Sequence, residues 1–402
     1  MKHLEGNLLY GQSGGPTSII NSSAYGIIKS AIKNNKYIKE TYIMHYGLEG
    51  LLNEDLIKID KNKDYSKLIN TPGAFFGSNR YKLKDYKEDE TDYIKIYEIL
   101  KKYNIKYIFY NGGNDSMDTI NKIGEYLLSK NYEIKVFGIP KTIDNDLNNN
   151  YFSLGFISAA KFIINSLLEI YYDDKSYKTG RVNIVETMGR NAGWLAASSL
   201  YLEKLGAEVD LVYVPELAFN EEEFLTKVKE IYSKNKHCLV VVSEGIKDKN
   251  NNFIFEANAN IDQFNHNSLG GVSSYLAKLV ESKLNYKVRG IELSLLQRAS
   301  SLTLSKFEVD CAIKLSDYLV DLAINSDLNK KIGTIVLNEN NEIDFSNADL
   351  QSVANYEKKL DEQFINFEDK TLKKDEIIKY LNRLLKGSFN TLNELGFIDT
   401  YK

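Results

Sequence analysis

Cysteine is scarce in this 402-residue chain: the two present, Cys238 and Cys311, lie inside apolar stretches and form no Cys-x-x-Cys pair. That scarcity speaks against a disulfide framework or a cysteine-built zinc site, and favours packing roles in a reduced compartment. No positively charged segment followed by an apolar core opens the sequence, so an unprocessed cytosolic protein is the expectation. No apolar run approaches the roughly 18 residues of a membrane helix, so no membrane partner is expected. A net charge of −4, with 26% charged residues, leaves no broad basic field to recruit nucleic acid. Any anion site must therefore be local. Fixed-period repeats and low-complexity linkers are also absent. What is present is a 43% hydrophobic composition, enough for a large core, in a chain longer than the ~250–300 residues at which single cores stop growing. Two domains are expected.

Short apolar runs alternate with stretches of helical period. Runs at 8–10, 105–110 and 134–139 precede helical patterns at 19–31, 116–128 and 154–171. The alternation resumes with runs at 182–186, 211–214 and 239–242 before helical patterns at 192–202, 221–232 and 270–284. Residues 288–296 and 333–337 read as further strands, and 307–323 as a helix. Strand–helix alternation implies parallel sheets. The expected fold is thus α/β, with two Rossmann-like three-layer αβα lobes of mostly parallel sheet plus a mainly helical C-terminal extension. The first lobe is read as 1–150, completed by about 297–345, the second as 151–296, and the extension as 346–402.

Chemistry concentrates where these strands end. Neither GxxxxGK[ST] nor GxGxxG occurs, which argues against a P-loop enzyme and weakens a dinucleotide-binding reading. Paired glycines nevertheless follow two strands, in Ser13-Gly14-Gly15-Pro16-Thr17 and in Asn111-Gly112-Gly113-Asn114-Asp115-Ser116. Each pair lets backbone N–H groups at a helix start approach an anion, although one such pair alone is more often a tight turn. A third strand leads into Pro140-Lys141-Thr142-Ile143-Asp144-Asn145-Asp146, with a lysine and two carboxylates. An Asx turn is the ordinary explanation for that spacing. Transfer of a phosphoryl group to an alcohol needs a carboxylate near the attacking hydroxyl, a divalent ion and surrounding cations, which is the more informative one. Met188-Gly189-Arg190 and Glu244 follow strands in the second lobe, while Arg289 and Arg298 bracket the strand read at 288–296. Arginine forks suit a sugar phosphate.

Together these segments resemble the phosphofructokinase family, and within it the branch that uses pyrophosphate. The resemblance covers roughly residues 5–340 and is most specific in the PKTIDND, MGR and LQR segments. It implies reversible transfer of phosphate from pyrophosphate to the C1 hydroxyl of fructose 6-phosphate, with Mg2+ as cofactor. By matched position, Asp144 is the implied proton acceptor, with Thr142 and Arg190 as its catalytic companions. Gly14, Gly15, Arg80, Gly113 and Lys141 are implied to line the pyrophosphate site. Fructose 6-phosphate falls to Thr142, Ile143, Asp144, Met188, Gly189, Arg190, Glu244, Leu295 and Arg298. Arg181 and Arg289 match arginines delivered from a neighbouring subunit, which implies a homodimer or homotetramer with shared sites. Asn114 and Asp146 match the region of the metal.

ATP-using members carry glycine where this chain has Asp115 and Lys141, and both differences favour pyrophosphate. A carboxylate at 115 repels the α-phosphate of ATP, and an ammonium at 141 occupies the space that phosphate would take. Two other positions depart from the family pattern. Asn114 replaces an aspartate, and a neutral amide is a weaker ligand for a hard cation. Leu295 replaces a histidine or tyrosine at the sugar phosphate. The same reaction with ATP, and a non-catalytic sugar-phosphate-binding subunit, are the alternatives. None of the four histidines, His3, His45, His237 and His266, falls in these motifs, so no histidine base is assigned.

Overall fold

The computed structural model describes residues 3–255, 270–354 and 356–389. Eleven strands build its two larger sheets among those residues: β1 (Gly6–Gln12), β2 (Ile38–Met44), β3 (Leu56–Lys58), β4 (Ile105–Gly112), β5 (Lys135–Pro140), β6 (Val182–Thr187), β7 (Leu211–Tyr213), β8 (Cys238–Ser243), β9 (Val288–Glu292), β10 (Lys331–Leu337) and β11 (Ile343–Asp349). β1, β4, β5, β6 and β8 are buried along nearly their whole length, which suits apolar runs covered by helices on both faces. The chain divides into two compact units, Met1–Phe156 with Arg298–Lys358 and Ile157–Gln297 with Lys359–Lys402.

In the first unit seven strands run in the order β11-β10-β5-β4-β1-β2-β3, parallel except at the two edges, β11 and β3. Leu9 on β1 and Ile108 on β4 face a core with Ile96, Leu100, Ile120 and Leu127 from helices Thr91–Lys102 and Asn114–Ser129. Side chains alternate across a strand, so Tyr10 points to the other face. There helices Ile19–Lys33 and Lys306–Asn325 pack together, with Gly26 giving Ser316 room to approach. Strand order reverses between β1 and β4, the switch point at which open α/β sheets bind ligands. Register sets the strand ends level there: Gln12 pairs with Asn111, and Gly112 with Pro140.

The second unit holds four parallel strands in the order β7-β8-β6-β9. Its core joins Ile184, Val240 and Val242 to Phe224 and Val228 of helix Glu221–Asn235 and to Leu276 and Val280 of helix Val272–Leu284. Thr187 and Ser243 are paired, so β6 and β8 also end together. The helix Lys374–Leu385 docks through Tyr380, which with Phe364 surrounds Trp194 at ring-centre distances of 5.3 and 5.0 Å.

Several elements differ from the sequence expectation. The strand read over 288–296 stops at Glu292, because Ser294 takes a left-handed φ of 43° and turns the chain. Leu295 therefore lies on a turn, and Arg298 on the short helix Leu296–Ala299. Residues 32–104, left unassigned by periodicity, supply β2, β3 and the helices Gly47–Leu52 and Thr91–Lys102. In the segment expected to be mainly helical, β11 returns antiparallel along β10, and a small hairpin pairs Ile365–Asn366 with Thr371–Leu372. Part of that segment, 355 and 390–402, lies outside the described residues. Among the described residues no helix is long and apolar enough to cross a membrane.

Candidate active site

The first unit gathers a dense charge cluster at the level ends of β1, β4 and β5. Gly14, with φ of 82°, turns the chain off β1, and its N–H donates to the Asn79 carbonyl at 3.1 Å. The Ser78 hydroxyl donates to the Gly14 carbonyl at 2.7 Å. This lashing places the Gly77-Ser78-Asn79-Arg80 segment, and hence Arg80, beside the first glycine loop. Lys141 leaves β5 with its N–H on the Gly112 carbonyl at 3.0 Å, and its Nζ donates to the Gly15 carbonyl at 2.8 Å. A Cβ at Gly15 would stand 2.9 Å from Nη1 of Arg298, so a larger residue there would displace the tip of that guanidinium. Lys141 is 3% exposed. Burial first, then the charges of Arg298 and Arg80, push its ammonium down to about 7, against the opposing pull of Asp144 and Asp146. Three cations thus converge on a double-glycine loop, an arrangement that a bound polyanion would relieve.

Gly113 carries extended backbone at the start of helix Asn114–Ser129, with no side chain capping its first N–H groups. Asp115 sits exposed in the first turn, where a carboxylate complements the helix dipole. Asn114 Nδ2 donates to Oδ2 of Asp146 at 3.2 Å. Asn114 Oδ1 and Asp146 Oδ1 are buried and receive no hydrogen bond. Burial raises the Asp146 carboxyl to about 6, with the nearby Glu357 charge adding to the effect and a Thr142 hydrogen bond opposing it. Among the described residues no group of three or more His, Cys, Asp or Glu forms a metal-holding cluster.

Between these groups the loop after β5 follows a fixed path. The Thr142 N–H donates to the Leu154 carbonyl at 3.0 Å, and its Oγ1 receives the Asp144 N–H at 3.1 Å. Ile143 is buried, while Thr142 and Asp144 are half-buried. Asn145 adopts a φ of 56° and accepts the Ser153 N–H at 2.9 Å, which closes the loop on itself. The fully buried Glu308 receives the Gly155 N–H at 2.7 Å.

The second unit builds a different corner at the ends of β6 and β8. The Met188 N–H donates to Oε1 of Gln297 at 3.0 Å. Gly189 has a φ of 123°, a conformation that glycine adopts without strain, and its carbonyl accepts from the Ser243 hydroxyl. Glu244, half-buried, donates its N–H to the Thr187 carbonyl at 2.9 Å. The next helix, Trp194–Ser198, is anchored by Glu216, whose carboxylate receives the Gly193 N–H at 2.9 and 3.1 Å and the Leu360 N–H at 3.0 Å. Arg190 and Glu244 therefore occupy adjoining loops of one sheet edge.

Arg298, assigned by resemblance to the sugar phosphate, stands against Gly15 in the first unit. Leu295 is 57% exposed. Arg181 precedes β6 and Arg289 pairs with Asn183 early in that strand, at the opposite end of the sheet from Met188, Gly189 and Arg190. Arg181 is held there by Asp174, which also pairs with Nδ1 of His237 at 2.6 Å. Residues missed by the sequence reading are mostly supports. Glu308 had a signal in Ser305-Lys306-Phe307-Glu308, the spacing of a capping box, and the Ser305 side chain does accept the Glu308 N–H. Glu216 and Ser78 had none.

Comparison with known proteins identifies the family. Residues 7–323 match the phosphofructokinase family. A curated relative from Halomonas elongata, named pyrophosphate–fructose 6-phosphate 1-phosphotransferase, is 37% identical over 388 residues, spanning 95% of this chain and 92% of the relative. One of the same name from Xanthomonas campestris is 37% identical over 367 residues, spanning 90% and 87%. The crystal structure of a pyrophosphate-dependent phosphofructokinase from Nitrosospira multiformis superposes with a TM-score of 0.84 at 34% identity, covering 95% of this chain and 92% of that one. With its glycine loops, its Lys141–Asp146 loop and its Met188–Arg190 corner all inside the matched span, this chain belongs to the phosphofructokinase family.

Proposed function

We propose that this chain transfers a phosphoryl group from pyrophosphate to the C1 hydroxyl of fructose 6-phosphate, releasing inorganic phosphate and fructose 1,6-bisphosphate, reversibly. The observation that carries this reading is the Lys141–Arg298–Arg80 cluster on the Gly14–Gly15 loop, with Asp144 and Asp146 in the same unit. Such a cluster fits a small, highly charged donor. The relatives at 37% identity bear the name of this activity.

In this reading Asp144 accepts the hydroxyl proton as the sugar oxygen attacks the phosphorus and the bond to the departing phosphate breaks. Thr142, bonded to the Asp144 N–H, keeps that carboxylate oriented. Lys141, Arg298 and Arg80 hold the charge of the donor, and Arg190, given a catalytic role by matched family position, is the cation of the second unit's own corner. Met188, Gly189 and Glu244 are the contacts offered to the sugar. Magnesium fits the residues present: Asn114 Oδ1 and Asp146 Oδ1 are buried oxygens lacking a donor, and this ion takes few protein ligands beside waters and substrate phosphates. When bound, it neutralises charge on the donor. Arg181 and Arg289, at the far end of their own sheet, serve a neighbouring subunit's sugar phosphate in a dimer or larger assembly.

Replacing Asp144 with Asn keeps size and removes basicity. Turnover falls about 10²–10⁴-fold in steady-state assays, and a loss smaller than about threefold rejects Asp144 as proton acceptor.

Donor choice is read from kcat/KM with pyrophosphate and with ATP. Wild type prefers pyrophosphate, and Asp115→Gly narrows the ratio by admitting ATP. A wild-type preference for ATP, or a ratio unmoved by Asp115→Gly, removes the donor assignment.

The depressed Lys141 ammonium gives a pH signature. Above about 7 the free protein holds a neutral amine, and a bound polyanion restores the charge, so binding takes up a proton there and none well below that pH. Calorimetry of pyrophosphate binding near pH ~8, in two buffers of different ionisation heat, measures the uptake. Lys141→Met abolishes that component and weakens binding about ten- to a hundredfold, the equivalent of one charge-assisted hydrogen bond. Equal proton uptake in both proteins would contradict the assignment.

Shared sites are tested by complementation. Arg289→Ala and Asp144→Asn chains, each inactive alone, regain activity when co-assembled. Mixed oligomers that stay inactive, or an active species that sediments as a monomer, count against sharing.

A further inference from the structure

The loop that carries Thr142, Asp144 and Asp146 is neither helix nor strand from Thr142 to Gly155, yet catalysis needs its carboxylate held within a fraction of an ångström. Its return is fixed by Glu308 at Gly155. Its outer part turns through left-handed φ values at Asn145 and Asn149, of 56° and 59°, with Asn148 and Asn149 exposed. What restrains that part comes from a segment about two hundred residues later, outside every motif described above. The Lys358 N–H donates to the Asp146 carbonyl at 2.7 Å, and its neighbour Glu357 forms an antiparallel bridge with Leu147. The Lys358 ammonium donates to the carbonyls of Asn150 at 2.9 Å and Tyr151 at 3.1 Å, and reaches Asn145 Oδ1 at 3.5 Å. An ammonium has three protons to give, and here they are directed at three acceptors of one loop.

We propose that Lys358 is a positioning residue that clasps the 142–151 loop and thereby holds Asp144 in its reactive place. Each contact is made inside the first unit, so the clasp is complete in one chain. Half-burial and charge make these bonds stronger than the neutral contacts an Asn or Gln could offer. The ammonium touches the Asn150 and Tyr151 carbonyls beyond Asp146 and the Asn145 side chain between the two aspartates, and it reaches no group assigned to substrate. Its effect falls on the geometry of the reacting carboxylate more than on donor binding. The inference rests on Asp144 being the proton acceptor.

Lys358→Met and Lys358→Arg in the full chain test it by kinetics and hydrogen exchange. In Lys358→Met, kcat drops about ten- to a hundredfold while KM for pyrophosphate changes by less than about threefold. Amides of residues 143–151 exchange about tenfold faster or more, while those of β4 and β5 are unchanged. Lys358→Arg, which can still donate to the carbonyls, recovers most of both. If the Met variant does not fold, Lys358→Gln is measured the same way. Unchanged exchange in the loop overturns the clasp whatever kcat does. A loosened loop with kcat intact, or an Arg variant as impaired as the Met one, overturns positioning as well. Asp144→Asn, measured alongside, separates the two readings: if it keeps its turnover while Lys358→Met loses kcat and loosens the loop, the acceptor assignment has failed and the clasp stands.

Discussion

Lys141 is an amine whose charge burial and two guanidinium groups all oppose, and most of the first unit's architecture around the strand ends bears on that charge. An ammonium in such a place is tolerated because its protons are directed at a carbonyl and because Asp144 and Asp146 lie close enough to pull the other way. Gly14 and Gly15 supply the carbonyl and the empty volume that let Lys141 and Arg298 approach the same loop. A Cβ at Gly14 or Gly15 would press on the tip of Lys141 at 3.2 Å or of Arg298 at 2.9 Å, and removing the carboxylates would leave like charges facing one another. The cluster therefore acts as a unit, and its stored repulsion is what a polyanionic donor would discharge.

Scaffold and chemistry are joined through register. Parallel strands buried on both faces cannot slip by a residue without moving their apolar side chains out of place, so the pairing that levels Gln12 with Asn111 and Gly112 with Pro140 also fixes where the loops begin. The same logic holds separately in the second unit, where Thr187 pairs with Ser243 and the Met188–Arg190 and Glu244 loops start side by side. Buried carboxylates then secure the irregular stretches. Glu308 takes the Gly155 N–H, Glu216 takes those of Gly193 and Leu360, and Glu186 those of Gly271 and Ser273. Burial raises the carboxyls of Glu186 and Glu216, and the N–H groups they receive hold them partly back.

The strands and helices legible in the sequence were those with a strong single period. β4, β5, β6 and β8 are predominantly apolar runs, broken only at points such as Lys106, Lys135 and Asn183, and each stands where the run does. β2, with Lys39 and Glu40 in its first half, lacks that signal and owes its place to pairing with β1. β11 alternates weakly through Asp344, Ser346 and Asn347, and becomes a strand because the turn after β10 brings it back along that edge. The strand expected to reach 296 ends early because one backbone angle at Ser294 turns the chain, and no side-chain period encodes such an angle.

By itself the sequence determined which residue types lie at strand ends: the glycine pairs, the lysine with its two carboxylates, and the Met-Gly-Arg corner. These were readable because loops that handle charge are short, local and chemically unlike the apolar runs before them. Tertiary structure alone decided which of them share a place. Arg298 is distant in sequence from Gly15 and reaches it only because Arg298–Lys358 returns to the first unit. Lys358 closes on the Asp144 loop for the same reason. The lowered Lys141 ammonium and the raised Asp146 carboxyl follow from burial and neighbouring charge, and both depend on distances that the folded chain creates.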